Sequence, residues 1–470
     1  MALVEKLLWL YHRLPYPLKV LAASFQGYGL QRRRYGAATE RLVKEALERE
    51  SWTAAQWQAW QGERLARVLS RAATKVPYYR EQWAQRRRQG DRASWEYLEN
   101  WPILEKEPLR TNPQAFVAED CHTKRMIPYH TSGTSGKPLT LWRSHATEKA
   151  YYALFEARNH RWHGVTFRDR WGILGGQLVT PAWRRQPPFW VWNFGLHQLY
   201  MSSYHLAPDL IPYYLDAMVR YRVKYLWGYT SALYALALEI LHLKRQDLQM
   251  TVAITNAEPV FDYQRRAIAE AFQCPVRENY GITELVIAAM ECPHGTLHLW
   301  PEVGFVEVID GQQPVPPGVT GDLVCTSLLN IDMPLIRYRV GDRGTLPEQD
   351  TPCACGRTLH ALAGVEGRFD DALFTMDGRL IGRLDPVFKG NLPIREAQII
   401  QESLTEIRVK YVPATGFDSE AERSLIEELR ARLGMVEVVL EPVQDVPRGP
   451  NGKFKAVINN ILLLKGIRTV

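Results

Sequence analysis

A run of small and hydroxylated residues from 129 to 138 is the part of this sequence best suited to chemistry. It reads Tyr-His-Thr-Ser-Gly-Thr-Ser-Gly-Lys-Pro. Backbone N–H groups and hydroxyls in such a loop can surround phosphate oxygens, and Lys137 adds a positive charge. The run is not a Walker A loop, because Thr131 replaces the first glycine of that motif and Pro138 replaces its hydroxyl residue. We therefore expect a phosphate-binding loop of another kind, with an ordinary Gly/Ser turn as the alternative. Its residues are Ser132, Gly133, Thr134, Ser135, Gly136 and Lys137.

Four later segments place further polar residues in or after tight turns. They are 279–284, 337–342, 367–371 and 452–453. Thr283 and Glu284 follow a glycine, and a hydroxyl beside a carboxylate suits Mg²⁺ held against a triphosphate. Asp342 ends a strand-like run and could accept hydrogen bonds from ribose hydroxyls. Each segment alone is a weak signal, since most Gly-Asp pairs are turns and most terminal Gly-Lys pairs are solvated loops.

Two segments carry cysteine and histidine at spacings that suit a metal. Cys292 and His298 are separated by five residues, and Cys353 and Cys355 by one. Three thiolates and one imidazole can bind zinc tetrahedrally, and the neighbouring glycines permit the required turns. His294 competes with His298 as the fourth ligand. Thiols and imidazoles that only pack are the alternative to a metal.

The hydrophobic pattern predicts the elements that position these residues. Apolar residues three and four apart predict helices in the first 100 residues, and from about Met126 short β-rich runs alternate with amphipathic helices. That alternation indicates α/β layers. Strands and turns follow over 303–345, with one strand expected at Pro334–Tyr338. Beyond about residue 370, a strand, a helix that begins at Asp418 or Ser419 and a second strand predict a small α+β domain, so we place a boundary near 368–372.

Length and composition exclude several classes of protein. The 470 residues are 46% apolar and 23% charged, as in a globular chain of about three domain-sized units. No apolar run reaches the ~18–20 residues of a membrane helix. We expect the segment Leu7–Phe25 to pack against the large domain, with contact at a membrane surface as the alternative. Six cysteines are too few for a secreted disulfide scaffold, so we expect a cytoplasmic protein with reduced thiols.

The charge is basic, with 58 Lys and Arg against 51 Asp and Glu and a net charge of +7. Part of the excess lies in 32–34 and 86–88, each a run of three arginines. A nucleic-acid groove would need aromatic residues interleaved along a basic face. We favour solvated helix surfaces and expect no nucleic-acid partner, with an anionic small molecule or a membrane surface as the alternatives.

Taken in order, these motifs resemble the adenylate-forming enzymes, and within them the phenylacetate–CoA ligase-like branch. The resemblance spans residues 132–453. The segments 31–36, 228–231 and 398–401 also resemble the capsule and exopolysaccharide biosynthesis subgroup. The resemblance implies a large N-terminal α/β adenylation domain of stacked subdomains, residues 1–369 with a helical part at 1–100. It also implies a small mobile α+β C-terminal domain, residues 370–470.

The resemblance further implies a role for each matched residue. Thr283 would contact the α-phosphate, Glu284 would hold Mg²⁺, and Lys453 would bridge the attacking carboxylate and the α-phosphate, with Lys455 as the alternative lysine. Asp370 would be the pivot between two orientations of the C-terminal domain. The nucleotide would be held by the phosphate loop, by Ala257, Glu258 and Pro259 around the adenine, by Tyr280 near the adenine or the acyl pocket, by Asp342 at the ribose and by Arg368.

The function implied by the resemblance is ATP-dependent activation of a carboxylic acid, for which an aromatic acid is favoured, to an acyl-adenylate with release of pyrophosphate. Coenzyme A is the expected acceptor, and an amine or hydroxyl is the alternative because residues 375–382 depart from the usual phenylacetate ligase run. A third hypothesis is a catalytically silent scaffold protein. ATP, Mg²⁺ and coenzyme A are therefore expected, together with a structural Zn²⁺, which some relatives carry and which the chemistry does not use. His205, Tyr229 and Ser231 are weak candidates for the acyl pocket, and core packing is their alternative; the oligomeric state stays open.

Overall fold

The structure is a computed structural model of the chain. It describes residues 10–131, 139–181, 183–348, 353–366, 373–381, 384, 387, 392–414, 416–444, 446 and 456–461. Several residues with predicted roles lie outside the described residues: the phosphate loop Ser132–Lys137, Arg368, Asp370, Lys453 and Lys455. Their predicted roles stay predictions.

The described residues are helical before residue 127, alternate between strands and helices over 127–281, and form mostly strands after that. The α-helices are α1 (Tyr16–Arg34), α2 (Ala37–Arg49), α3 (Ala54–Lys75), α4 (Pro77–Arg88), α5 (Lys106–Thr111), α6 (His145–Phe155), α7 (Ile211–Tyr221), α8 (Thr230–His242), α9 (Asp262–Phe272) and α10 (Ser419–Leu433). The first strands are β1 (Ile127–His130), β2 (Thr140–Arg143), β3 (Trp171–Gly175), β4 (Trp190–Asn193), β5 (Gln198–Ser202), β6 (Tyr225–Tyr229), β7 (Ala253–Asn256), β8 (Val276–Gly281), β9 (Ala288–Glu291), β10 (Leu297–Leu299) and β11 (Gly304–Asp310). The remaining strands are β12 (Gln313–Pro314), β13 (Gly321–Ser327), β14 (Tyr338–Thr345), β15 (Ala361–Leu362), β16 (Gly364–Glu366), β17 (Leu373–Phe374), β18 (Leu380–Ile381), β19 (Ile394–Gln401), β20 (Glu406–Pro413), β21 (Glu437–Pro442) and β22 (Val457–Asn459).

The N-terminal part is helical, as predicted. Thr53 caps α3 and forms a capping box with Gln56, which satisfies backbone N–H groups that the first helical turn leaves unpaired. Apolar residues on one face of α3, including Val68 and Leu69, are buried in the core. The helices therefore begin and pack where the local pattern of caps and apolar residues predicts.

A nine-stranded sheet forms the centre of the molecule, in the order β15-β10-β9-β8-β7-β6-β3-β5-β4. The pairs β5–β3, β3–β6, β6–β7 and β7–β8 are parallel. Such strands are covered on both faces, and β6 and β7 are accordingly almost completely buried. The carboxyl ends of the parallel strands meet at one edge of the sheet, which is where α/β proteins bind their ligands.

A second sheet consists of five antiparallel strands in the order β12-β11-β13-β14-β16. The strand predicted at Pro334–Tyr338 is wrong, because β14 begins only at Tyr338. Pro334 has no N–H to donate to a neighbouring strand, and Arg337 has a φ of +46°, outside the β region.

The C-terminal part is a four-stranded sheet in the order β21-β20-β19-β22 with α10 packed on it. The side chain of Asp418 accepts hydrogen bonds from the first turn of α10, and the helix ends before Gly434. The predicted β–α–β unit is present, with β20 and β21 parallel. The predicted α/β fold with a small α+β C-terminal part is thus confirmed.

The hairpin β17–β18 contacts both parts of the chain. Arg379 donates hydrogen bonds to the carbonyl oxygens of Tyr204 and of Arg432 in α10. Arg185 pairs with Asp377 at 2.8 Å.

Within the described residues, none of the helices has the length and apolar character needed to cross a membrane.

Candidate active site and cysteine cluster

The predicted nucleotide and acyl residues lie at the carboxyl ends of the parallel strands. Tyr229 and Asn256, the last residues of β6 and β7, are register partners, and Asn256 is also the partner of Asn279 near the end of β8. Residues 257–259 therefore leave the sheet beside residues 230–231 on one side and 280–284 on the other. The fold brings together motifs that are separated by up to about fifty residues along the chain.

The side chain of Glu258 accepts hydrogen bonds from the first turn of α8. Its Oε2 accepts a hydrogen bond from the Ser231 backbone N–H at 2.7 Å, and its Oε1 accepts from the Ser231 hydroxyl at 3.0 Å. A carboxylate at a helix N-terminus is favoured by the helix dipole. Ala257, with a φ of +62°, turns the chain out of β7 and so places Glu258 over the helix end. The predicted adenine segment and a predicted acyl-pocket residue are in direct contact.

Tyr280 and Asp342 form the second pair of the site. The Tyr280 hydroxyl donates to Asp342 Oδ2 at 2.9 Å and so joins β8 to β14. Burial and the adjacent Asp342 carboxylate raise the pKa of Tyr280 well above its ordinary value, so the phenol stays protonated and remains a donor. The sequence predicts a ribose-binding role for Asp342 and, separately, a place near the adenine or the acyl pocket for Tyr280, and the structure links the two side chains.

Thr283 and Glu284 follow β8 and are held from two sides. The Thr283 carbonyl accepts a hydrogen bond from Arg143 Nη2 at 2.6 Å. Glu284 is buried, and its Oε1 accepts from the Tyr338 hydroxyl at 2.8 Å. The hydroxyl and carboxylate are hard oxygen donors of the kind that Mg²⁺ prefers, so this pair fits the predicted magnesium site.

Sequence reasoning missed the residues that hold the hairpin β1–β2, whose connection contains the phosphate-loop sequence. Arg143 stacks on the Tyr129 ring at 4.0 Å from its centroid, and the Tyr129 hydroxyl donates to Glu148 Oε2 at 2.5 Å. Glu148 is completely buried and faces Arg33 and Arg34 of α1 at 3.5 and 3.6 Å. Arg143 lies six residues after Lys137, the end of the loop, and this short separation in the sequence was the available signal.

His205 lies in the short helical turn after β5 and is completely buried. Its Nδ1 lies 3.2 Å from the Ser202 hydroxyl and its Nε2 lies 3.1 Å from the Pro181 carbonyl. Burial lowers the pKa of His205 to about 4, so the ring is neutral near pH 7. These contacts describe a packed histidine, and its role in an acyl pocket stays a prediction.

The four predicted metal ligands form one cluster. The ligand atoms of Cys292, His298, Cys353 and Cys355 all lie within 4.8 Å of one another. Cys292 Sγ and Cys353 Sγ are 3.7 Å apart, and Cys355 Sγ is 3.4 Å from His298 Nε2. Bonds of ~2.3 Å to sulfur and ~2.0–2.1 Å to nitrogen at tetrahedral angles give separations of about 3.8 and 3.5 Å. The donor set and its spacing therefore fit zinc.

The surroundings of the cluster support the same geometry. His298 Nδ1 lies 2.9 Å from the Leu359 carbonyl, which orients the ring so that Nε2 faces the cysteines. Burial disfavours the Cys353 thiolate, but hydrogen bonds with Thr296 and the Cys355 backbone N–H outweigh it and lower the pKa of Cys353 to about 6. His294, the competing ligand, is exposed and lies outside the cluster.

Comparisons with known proteins identify relatives that match two thirds to three quarters of the chain, and a family that matches its C-terminal part. Residues 373–460 match the family described as the CapK C-terminal domain. Protein CapK of Staphylococcus aureus is 26% identical over 370 residues, which cover 77% of this chain and 80% of that protein. The phenylacetate-coenzyme A ligase of Pseudomonas putida is 26% identical over 328 residues, covering 66% of this chain and 70% of that enzyme. The chain is a homologue of CapK and of the phenylacetate-coenzyme A ligases.

Solved structures show the same fold. The crystal structure of 2-hydroxyisobutyryl-CoA ligase in complex with 2-HIB-AMP and CoA in the thioesterification state gives a TM-score of 0.54 at 19% identity, covering 90% of this chain and 94% of that one. The postadenylation state of that ligase with R3-HIB-AMP gives 0.53 at 18% identity with the same coverage. The predicted resemblance to the adenylate-forming, phenylacetate-CoA ligase-like enzymes is confirmed.

Proposed function

We propose that this chain activates a carboxylic acid with ATP and transfers the acyl group to coenzyme A. The observation that carries the proposal is the convergence at one sheet edge of the Glu258–Ser231 contact, the Tyr280–Asp342 pair and the Thr283–Glu284 pair. Homology to phenylacetate-coenzyme A ligases supports both the adenylation step and an aromatic acid.

In the first half-reaction no side chain of the protein forms a covalent bond with the substrates. A carboxylate oxygen of the acid forms a bond to the α-phosphorus while the bond from that phosphorus to the pyrophosphate oxygen breaks. In this proposal, Thr283 contacts the α-phosphate, Asp342 accepts from the ribose hydroxyls, and Lys453 neutralises charge on the reacting oxygens. Mg²⁺ at Glu284 would supply further charge neutralisation.

An amine or hydroxyl acceptor is the second candidate function. Residues 373–460 match the CapK C-terminal domain, and they include the 375–382 run that departs from the phenylacetate ligase sequence. In this structure residues 375–381 of the run form the turn and the second strand of the hairpin β17–β18, which packs against Tyr204 and against α10. In coenzyme A ligases this region lines the path of the pantetheine arm. A different sequence in this region is therefore expected to change which acceptor is used.

We further propose that the cysteine cluster holds one structural Zn²⁺. With four protein ligands such a site has no open position for a substrate or water, so its role would be to join residues 292–298 to residues 353–359. This proposal is independent of the adenylation chemistry and is tested separately below.

The test of the proposed function is acid-dependent ATP–pyrophosphate exchange over a panel of aromatic and aliphatic acids, with Lys453→Ala as the comparison variant. We expect exchange with at least one acid and a loss of about 10²–10³-fold in the variant. A second assay then measures AMP formation with and without coenzyme A. AMP formation that requires coenzyme A would favour coenzyme A as the acceptor over an amine or hydroxyl. Failure of the intact protein to bind ATP would contradict the proposal.

A further inference from the structure

Helix α1 turns its large apolar side chains toward solvent. Leu18, Leu21, Phe25 and Tyr28 are 46%, 63%, 85% and 52% exposed. Their spacing of three, four and three residues places them on one side of the helix, where they form a continuous stripe. Ordinary surface helices of globular proteins bury such a stripe against the core. Within the described part of the segment Leu7–Phe25, which the sequence predicts to pack against the large domain, the opposite side of α1 makes that contact.

The side of α1 that is buried carries small and polar residues. Lys19 donates to the Val179 carbonyl at 3.1 Å, and the Ser24 hydroxyl accepts from the Phe194 backbone N–H at 3.0 Å. Gly27 lies so close to Asn193 that a Cβ there would be 1.9 Å from the amide oxygen. These contacts fix the rotation of α1 about its axis, so the helix cannot turn to bury its stripe without breaking them.

Two further exposed aromatic residues lie in the segments that contact α1. Phe194, next to Ser24 in the structure, is 55% exposed, and Trp183, in the loop that follows Val179, is 75% exposed. Exposed aromatic side chains beside a helix that carries apolar residues on its solvent side are typical of proteins that lie at a membrane–water interface. We call α1 together with Trp183 and Phe194 the α1 surface.

The α1 surface is basic. Neither residues 10–39 nor residues 170–208 contain an Asp or Glu. Arg32 and Arg184 are exposed, and their guanidinium groups form no ion pair with the described residues. Arg184 lies near enough to Lys19 that, after burial, its charge is the next cause of the lowered pKa of Lys19. A second copy of the chain would bring like charges together here, whereas an anionic surface complements them.

We propose that the α1 surface binds the face of an anionic lipid bilayer, with Leu18, Leu21 and Phe25 inserted among the lipid headgroups and acyl chains. The arginines lie beside the apolar stripe, where they contact the phosphate groups of the lipid. The helix lies on the membrane and does not cross it. This proposal is independent of the proposed enzymatic function.

The test is flotation of the full chain with phosphatidylcholine vesicles that contain or lack phosphatidylglycerol, at low and high salt. We expect binding to the phosphatidylglycerol vesicles that weakens at high salt. The double variant Leu21→Glu/Phe25→Glu should lower the partition coefficient by at least about tenfold, because it removes two inserted apolar side chains. Arg32→Gln/Arg184→Gln should lower binding by about fivefold per arginine on anionic vesicles alone. Met435→Glu, at a residue 87% exposed in the C-terminal part, is the matched control and should bind as the parent does.

Three results would overturn the proposal. The first is a parent protein that does not float with either kind of vesicle. The second is a folded double variant, checked by circular dichroism, that floats as well as the parent. The third is a parent protein that light scattering shows to be a dimer and a double variant that it shows to be a monomer. That result would mean that the stripe binds a second copy of the chain.

Discussion

The carboxylates of the candidate site each face a neutral hydroxyl donor. The pairs are Ser231 with Glu258, Tyr280 with Asp342, Tyr338 with Glu284 and, at the hairpin β1–β2, Tyr129 with Glu148. A neutral donor orients a carboxylate without cancelling its charge. The hydroxyl donors therefore fix the orientation of the Glu258, Asp342 and Glu284 carboxylates at the sheet edge.

Tyr280→Phe tests the pair with Asp342. Loss of a hydrogen bond to a charged group costs about 1.5–3 kcal/mol, so we expect the KM for ATP in pyrophosphate exchange to rise by about tenfold or more. The control is Tyr213→Phe on α7, at a residue 46% exposed, which should leave KM unchanged. An unchanged KM in a stable Tyr280→Phe variant would show that the tyrosine does not orient Asp342 for the nucleotide.

Cys353→Ser tests the metal site. We expect zinc measured by elemental analysis to fall from about one ion per chain to near zero, because a tetrahedral structural site requires all four ligands. Cys121→Ser, at a half-buried cysteine outside the cluster, should retain the metal. A parent protein that contains no zinc after purification without chelators, and takes up none when it is supplied, would refute the site.

Among the secondary-structure elements, the hairpin β1–β2 has the most direct bearing on the site. Arg143 on β2 contacts Thr283 after β8, and Glu148 on α6 contacts both Tyr129 on β1 and the last turn of α1. The hairpin is thus held between the edge of the sheet that carries the candidate site and the N-terminal helix. Its position should control where the phosphate-loop sequence lies relative to Thr283.

Arg143→Lys tests this coupling while it keeps the positive charge. Lysine cannot reproduce the planar guanidinium that stacks on Tyr129 and also donates to the Thr283 carbonyl. We expect the exchange rate to fall by about tenfold, with a loss of about 1–3 kcal/mol in stability. Arg67→Lys on the exposed side of α3 serves as the comparison, and an Arg143→Lys enzyme with the parent's rate would rule out the coupling.

Across the whole molecule, one buried ion pair connects distant parts of the chain. Arg158, in the helical turn after α6, donates to both carboxylate oxygens of Glu302 at 2.8 and 2.9 Å, and Arg49 of α2 donates to the same carboxylate at 3.3 Å. Burial alone would raise the pKa of Glu302, but the Arg158 guanidinium outweighs it and holds that pKa below its ordinary value. Because the folded-state pKa is lowered, this stabilisation is present above a pH of about 4.3 and is lost as the pH falls further through the folded-state value.

Arg158→Met should lower the free energy of unfolding at neutral pH by about 3–5 kcal/mol, because Glu302 stays buried without its main partner. Denaturant unfolding at several pH values measures this loss, which should shrink at acidic pH as Glu302 binds a proton. The double variant Arg158→Met/Glu302→Leu should recover much of the stability. Equal destabilisation at every pH would mean that the lost packing of Arg158, and not the unpaired charge, is responsible.

Local patterns were enough to predict much of this protein. Caps and apolar spacing predicted α10 and the helices of the first 100 residues, because such signals depend on neighbours within a few residues. The cysteine ligands lie in two short segments, so their spacing already restricted the geometry. The strand at Pro334–Tyr338 was wrong because the apolar run there outweighed the restraints that Pro334 and Arg337 impose on the backbone.

The contacts that assemble the site depend on tertiary structure. Tyr280 and Asp342 are 62 residues apart, and Arg143 and Thr283 are 140 apart, so only the order and register of the strands bring them together. The rotation of α1 also depends on the fold, since an apolar stripe on a surface helix ordinarily packs inward. Close contacts at Ser24 and Gly27 reverse that arrangement, because a helix buries the side whose residues allow the sheet edge to approach.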